Sequence, residues 1–563
     1  MPQHRLIDIH PLRARQDLCG VWDFQRAAGA AADPRPPRRG WGERQSVPGA
    51  WECTLAHAHY RGRAWYRRRF RVDQAGGYRL VFCAVSHTAT VWLDGTRLGG
   101  HYGGHTRFEF VLGLEPGEHE LCVLVDNTFG PHNPLTHPYQ DIYTWGGITR
   151  PVFIEALPAM RIAEASAVPV RSGGAWRLDV RVRVLGGANG MELPVTLDGR
   201  AIGTLRLGRG GTAQARLRAG RVREWSCADP ALSMVRVDIP GDAWQERIGF
   251  RSIAVKGRTI LLNGRPTALV GVNRHEFHPH FGPAVPVAIH LLDIDILKKL
   301  GANYVRGAHY PNDELWLDLC DEHGLLFWDE LSHWQPKEAH LKDPAFLAAS
   351  LAQADEMVAQ HRHHPSIFTW GFLNECDSHT AAARPVVRAL AQRIRRLDPT
   401  RPVTYATLHL AGDRCLDLVD IVSLNAYPGW YAGTFEDLPE RLDALFALLR
   451  RRSLGKPVII SEFGGGAMRG VRSFEPRKWT EDYQGWLIDA IIARAQASGF
   501  ITGVSIWQYC DVRTSRDLAM GRIREHNNKG IVTEFREPKD AFRVVQQAFI
   551  RPWAVLGRRR QAR

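Results

Sequence analysis

The sequence predicts a multidomain α and β protein: a jelly-roll β-sandwich, an immunoglobulin-like β-sandwich and a C-terminal (β/α)₈, or TIM, barrel. Three observations predict it. The first half of the chain carries short β-type runs broken by turns, with no useful helical period. The pattern changes near Phe250 to alternating strand and helix. Two apolar runs in that second half then end on a glutamate, Ser366–Leu373 before Asn374-Glu375 and Pro457–Ser461 before Glu462. A carboxylate at the C-terminal tip of a buried strand is where such a barrel keeps its functional groups.

The elements follow in order. Residues 1–157 form the expected jelly roll, with strands at Tyr78–Val85, Thr90–Leu93 and Glu118–Val125 and a hairpin turn at Asp94-Gly95. Residues 158–249 suit an immunoglobulin-like sandwich, with strands at Trp176–Val184 and Met191–Leu197 and a turn at Asp198-Gly199. Residues 250–563 hold the barrel. Ile289, Leu292, Ile296 and Leu300 mark a first helix, and Asp313–His323 and Ala381–Leu397 read as later ones. Eight candidate strands run through Ala268–Asn273, Ala302–Ala308, Leu325–Asp329, Ser366–Leu373, Pro402–Thr407, Ile421–Asn425, Pro457–Ser461 and Gly503–Trp507. Their ends place Asn273, His309, Asp329, Glu330, Asn374, Glu375, Asn425, Glu462 and Trp507 in one ring.

Bulk properties narrow the function. At 563 residues the chain exceeds a single core. Its net charge of +14, from 73 basic and 59 acidic residues, points to an acidic partner: nucleic acid, an anionic membrane or an acidic substrate. No nucleic-acid-binding motif is present, and no apolar run approaches a membrane span. The basic tail Gly557–Arg563 reads as a solvated end. Nine scattered cysteines with no CxxC pair read as reduced thiols. With no apolar stretch in Met1–Asp17 resembling a signal peptide, the expected compartment is the cytoplasm. His361, Arg362, His363 and His364 read as cations at a helix C-terminus rather than a metal site. No metal or cofactor is expected, and a homo-oligomer is left open.

Two carboxylates from different strands are what hydrolysis of a glycosidic bond needs, one acid and one nucleophile or base. Several stretches carry a family resemblance on top of this. Val47–Trp51, Trp65-Tyr66, Gly271–Glu276, Gly301–Arg306 with His309–Pro311, His364–Glu375 and Ser461–Gly464 together resemble glycoside hydrolase family 2 over nearly the whole chain. Within it, Asn425–Tyr431, Asn527-Asn528-Lys529 and Gln140–Tyr143 are most similar to the β-glucuronidases.

The resemblance implies a retaining exo-glycosidase acting on terminal β-D-glucuronides. Glu462 would be its nucleophile and Glu375 its acid/base, with burial and the Glu462 charge raising Glu375. Asn374 would bind the sugar 2-OH, Tyr427 would support the nucleophile and Trp507 would offer a stacking ring. Asn527 and Lys529 would hold the sugar carboxylate. Asp141, His309, Asn425 and Tyr431 complete the implied substrate site. Arg522 and Arg524 compete as an assisting arginine. The Glu330–Glu375 stretch is short, implying an open mouth, and Gly465-Gly466-Ala467 lacks an acidic residue common in the family. A β-galacturonidase or β-galactosidase of the same fold, or a non-catalytic carbohydrate-binding protein, remain alternatives.

Overall fold

The computed structural model describes residues 3–27, 34–138, 140–515 and 522–556. The basic tail from Gly557 lies outside them. The first unit is two antiparallel sheets around one apolar core. The six-stranded sheet runs in the order Glu43–Val47, Gly20–Arg26, Arg63–Val72, Gly117–Asp126, Thr88–Leu93, Thr96–Tyr102. The four-stranded sheet runs Arg15–Asp17, Val152–Leu157, Gly76–Phe82, Phe108–Leu114. Alternating side chains such as Trp22, Phe24, Tyr66, Leu80, Phe82, Val123 and Ile154 face inward between them. The Asp94-Gly95 turn has positive φ at both residues, 51° and 78°, the hairpin geometry expected from that dipeptide.

The second unit packs a three-stranded sheet (Arg161–Ser172, Ala175–Leu185, Thr212–Arg218) on a four-stranded one (Arg200–Arg206, Glu192–Leu197, Ser233–Ile239, Asp242–Ile248). Strand Ala175–Leu185 alternates in burial along its length, so one face meets the core and the other meets water.

All eight predicted barrel strands are present and close on one another in sequence order, every pair parallel. We label them β1 (Leu269–Arg274), β2 (Tyr304–Gly307), β3 (Leu326–Glu330), β4 (Ile367–Asn374), β5 (Val403–Thr407), β6 (Val422–Asn425), β7 (Val458–Phe463) and β8 (Ile501–Ile506). Every residue of each is buried, the burial a parallel strand covered on both faces requires. The helices between them are bounded by local chemistry. Asp313 caps Glu314–His323 by accepting from the Leu315 amide, and Gly301 and Gly324 end their helices at φ of 83° and 70°.

Two features were not foreseen. A small sheet, Ile253–Lys256, Thr259–Leu262 and Arg265–Pro266, precedes β1. Its Ile260, with Trp225, packs on Leu269, Tyr304, Leu326 and Ile459, residues at strand starts, and so closes the N-terminal end of the barrel. The second feature is the first stretch of chain, which leaves its own sandwich. Arg5 enters a buried carboxylate cage, donating to Asp318 and Glu246 at 2.9 Å, and Arg13 donates to Asp242 and Glu155. Arg5 thus ties the second sandwich to the barrel, and Arg13 ties it to the first.

Candidate active site

Glu375 follows β4 directly and Glu462 lies in β7, so both carboxyls stand at the C-terminal end of the barrel. Both line a cavity of about 650 Å³ whose walls include Asp141, Trp334, Gln335, Asn425, Tyr427 and Trp507. A larger cavity of about 890 Å³ lies among the N-terminal arm and the two sandwiches, away from both carboxyls. The chemistry belongs to the smaller one, because there Glu375 and Glu462 face one space at the C-terminal end of the barrel, where such a fold keeps its functional groups.

Each carboxyl is held from two sides. Glu462 accepts from Arg306 at 2.8 Å on one oxygen and from the Tyr427 hydroxyl at 2.7 Å on the other. Glu375 accepts from Asn425 at 2.9 Å and from Gln335 at 2.7 Å. Its backbone takes φ of 52°, and its amide donates to Ala406 of β5, which turns the side chain into the cavity mouth. Asn374 accepts from Arg306 and Asn425 through Oδ1, leaving its buried Nδ2 without a partner. A buried amide donor left open is costly unless something occupies it, and here it stands beside the carboxyl pair.

Burial, and after it the negative charge of Glu375, push the Glu462 carboxyl up to about 8; Arg306 and Tyr427 pull the other way. Two carboxyls in one water-poor site titrate as a pair, and this pair keeps one proton through neutral pH.

Arg306, at the end of β2 and fully buried, organises this floor. Besides Glu462 and Asn374 it donates to both oxygens of Glu330 at 2.9 Å and to Asn273 at 3.0 Å. His309 sits on Glu330 through Nδ1 at 2.9 Å and stacks on Trp507 with ring centroids 5.1 Å apart. One face of the Trp507 indole is therefore covered, while the residue still lines the cavity.

A second polar group lies at the rim. Asp141, from the first sandwich, pairs with Arg522 and accepts from Asn527 at 2.9 Å. Lys529, 1% exposed, donates to Tyr431 at 2.8 Å, and its ammonium lies 4.9–5.9 Å from the ring centres of Tyr427, Trp430 and Tyr431. Of the two competing arginines, Arg522 faces this group and also reaches Tyr431, whereas Arg524 turns away to Glu534. The loop carrying the tyrosines rests on glycines: a Cβ at Gly466 would stand 2.8 Å from Trp479 and 3.1 Å from Trp430. Those glycines fill the place where an acidic residue was noted as missing.

The structure thus gathers every predicted site residue at the barrel mouth or its rim. Arg306, Gln335 and Trp334 were not singled out. Arg306 had a signal, since it lies in a predicted strand and ends a motif; Gln335 and Trp334, in an irregular segment, had none. His361 and His364 are bound to Asp329 and Asp321 at 2.6 Å, under the helix Pro344–His361, with Arg5 on neighbouring Asp318. Asp318, Asp321 and His364 thereby form a buried cluster beneath that helix.

Comparison with known proteins identifies the family. The model for "Glycosyl hydrolases family 2, TIM barrel domain" matches residues 253–551, more than half of the chain. A β-galacturonidase of that family from Eisenbergiella tayi, solved bound to galacturonate, is 35% identical, with a TM-score of 0.90 over 97% of this chain and 99% of its own. A β-glucuronidase from Paenibacillus borealis is 27% identical over 97% of this chain and 98% of its own length. The Bifidobacterium dentium β-glucuronidase, at 24% identity and a TM-score of 0.88 over 98% of this chain and 99% of its own, shares the fold. The chain is a glycosidase and belongs to glycoside hydrolase family 2.

Proposed function

We propose that the enzyme is a retaining exo-β-uronidase that releases terminal β-D-glucuronate by double displacement. The observation that carries the acidic sugar is Lys529. Its ammonium is buried among three aromatic rings with one neutral hydroxyl as partner, and among the described residues no carboxylate lies within ion-pair distance. A buried cation without a counter-charge is unfavourable. A sugar C6 carboxylate would supply that charge, with a charge-assisted hydrogen bond. Arg522 is already neutralised by Asp141, which leaves Lys529 as the open cation at the rim.

In this reading Glu462 attacks the anomeric carbon, and Arg306 and Tyr427 stabilise its anionic form. Glu375 gives the leaving oxygen its proton and then takes one from water. Forming the glycosyl-enzyme removes the Glu462 charge, so Glu375 can act as base in the second half. The free Nδ2 of Asn374 would donate to the sugar 2-OH. Nine cysteines, each a free thiol, support work in the reducing cytoplasm on imported glycosides.

A second reading, β-D-galacturonate, is favoured by the 35% identity to a galacturonidase. The two sugars differ only at C4, and both present the carboxylate to Lys529. A hydrolysis panel of nitrophenyl β-glucuronide, β-galacturonide, β-glucoside and β-galactoside tests the proposal. Fast turnover of one or both uronides is expected, and faster turnover of a neutral sugar would overturn it.

A further inference from the structure

Beside the cavity mouth, on the Glu375 side, stands a cluster that the hydrolytic chemistry does not use. Asp377 follows Glu375 by two residues, His379 by four, and His409 follows β5. One ligand atom from each lies within 4.8 Å of the other two. The His379 and His409 ring centres are 4.2 Å apart, and His409 Nε2 lies 3.8 Å from Asp377.

We propose that Asp377, His379 and His409 form a binding site for a borderline divalent transition metal, with zinc as its type, linking the loops after β4 and β5 at the cavity mouth.

Ligand chemistry carries the choice of metal. Two imidazoles and one carboxylate suit zinc and disfavour magnesium or calcium, which take all-oxygen sets. Three protein ligands with an open fourth position, taken by water, complete a tetrahedral site. At metal–ligand lengths of about 2.0–2.1 Å the ligand atoms of a tetrahedron stand about 3.3 Å apart. The cluster must therefore close by no more than about 1.5 Å, within the rotamer reach of the exposed His379. Asp377 is pre-oriented, because one of its oxygens accepts from the Glu338 amide at 2.9 Å. The Lys337 ammonium, 3.8 Å from the other oxygen, opposes a cation. Its side chain is 55% exposed, and such a surface pair is weak enough to give way.

The position couples the site to the mouth. The Asp377 amide donates to Pro336, whose neighbour Gln335 holds Glu375, and His409 follows Leu408, which lines the cavity. Metal binding would fix both loops beside the carboxyl that faces the leaving group, and turnover should slow.

The test is calorimetric titration of the full chain with zinc chloride, for the wild type, His379→Ala, His409→Ala and the double variant. Turnover is assayed in parallel with and without zinc. The wild type should bind one equivalent more than the double variant. Each single variant should weaken that step by at least about tenfold, keep its zinc-free turnover, and lose the slowing by zinc. Zinc-free turnover also reports that the variants fold. Should an alanine disturb the loops, His379→Gln at the exposed member gives the same comparison. Equal zinc binding by wild type and double variant, or equal slowing of both by zinc, would overturn the proposal.

Discussion

At the scale of single residues, the site is a problem of one proton and two carboxyls. Arg306 and Tyr427 bind Glu462, and Asn425 and Gln335 bind Glu375, so the two groups have different surroundings although they share a cavity. Burial and the Glu375 charge push Glu462 up to about 8, so the pair holds a proton at neutral pH. Because the leaving group needs that proton, kcat/KM should fall as pH rises through about 8; a profile flat to pH 10 would contradict the shared proton. Glu375→Ala should spare activated leaving groups far more than poor ones, and equal loss on both would remove Glu375 as the acid. Both glutamates were legible in the sequence because each ends an apolar strand. Arg306 was less so: a strand-terminal arginine has no chemistry of its own until the fold brings Glu330, Asn273, Asn374 and Glu462 around it. Gln335 belongs to a segment without periodicity, and only the closed barrel sets it against Glu375.

At the scale of elements, the eight strands were readable because parallel strands buried on both faces leave continuous apolar runs, and their ends follow the last apolar residue. The sheet Ile253–Pro266 was not, because it is short and its role, closing the barrel base with Ile260, exists only in three dimensions. The Tyr427–Tyr431 loop shows how an element sets a site. It is seated on Trp430, which packs on Gly465 and Gly466. Gly466→Val should displace that loop, and with it the hydroxyls that meet Glu462 and Lys529. A loss of roughly tenfold to a hundredfold in kcat/KM is expected, with a smaller effect on Tm. Unchanged kinetics would show that the loop position is set elsewhere.

At the scale of the whole molecule, the N-terminal arm was the feature least visible in the sequence, since a single arginine gives no sign of partners some 240–310 positions away. Arg5 meets Glu246, Glu314 and Asp318 out of solvent. Burial alone would raise Glu314, yet Arg107 and Arg5 hold it down to about 2; Arg5 and His363 likewise hold Glu246 well below the usual carboxylate range. Depressed carboxyls contribute stability that is present above their unfolded value of 4.5 and lost as pH falls toward about 2. Arg5→Ala should cost about 3–5 kcal/mol by stranding buried charge, seen as a lower Tm at neutral pH and a shallower loss on acidification. An unchanged melting curve would mean that the arm is dispensable. Strong reductant should leave Tm unchanged, because all nine cysteines are free; a marked drop would reveal a disulfide.

The acidic-sugar claim rests on Lys529, and one comparison reaches it directly. Wild type and Lys529→Ala are assayed on a uronide and on its neutral counterpart, glucuronide with glucoside or galacturonide with galactoside. Losing one partner of a desolvated charge pair costs about 3–5 kcal/mol, so kcat/KM on the uronide should fall by roughly 10²–10³-fold or more. The slow reaction on the neutral sugar should hold steady or improve, and Asn527→Ala should follow the same direction with a smaller loss. Equal losses on acidic and neutral substrates would make Lys529 structural and contradict the assignment of a uronidase.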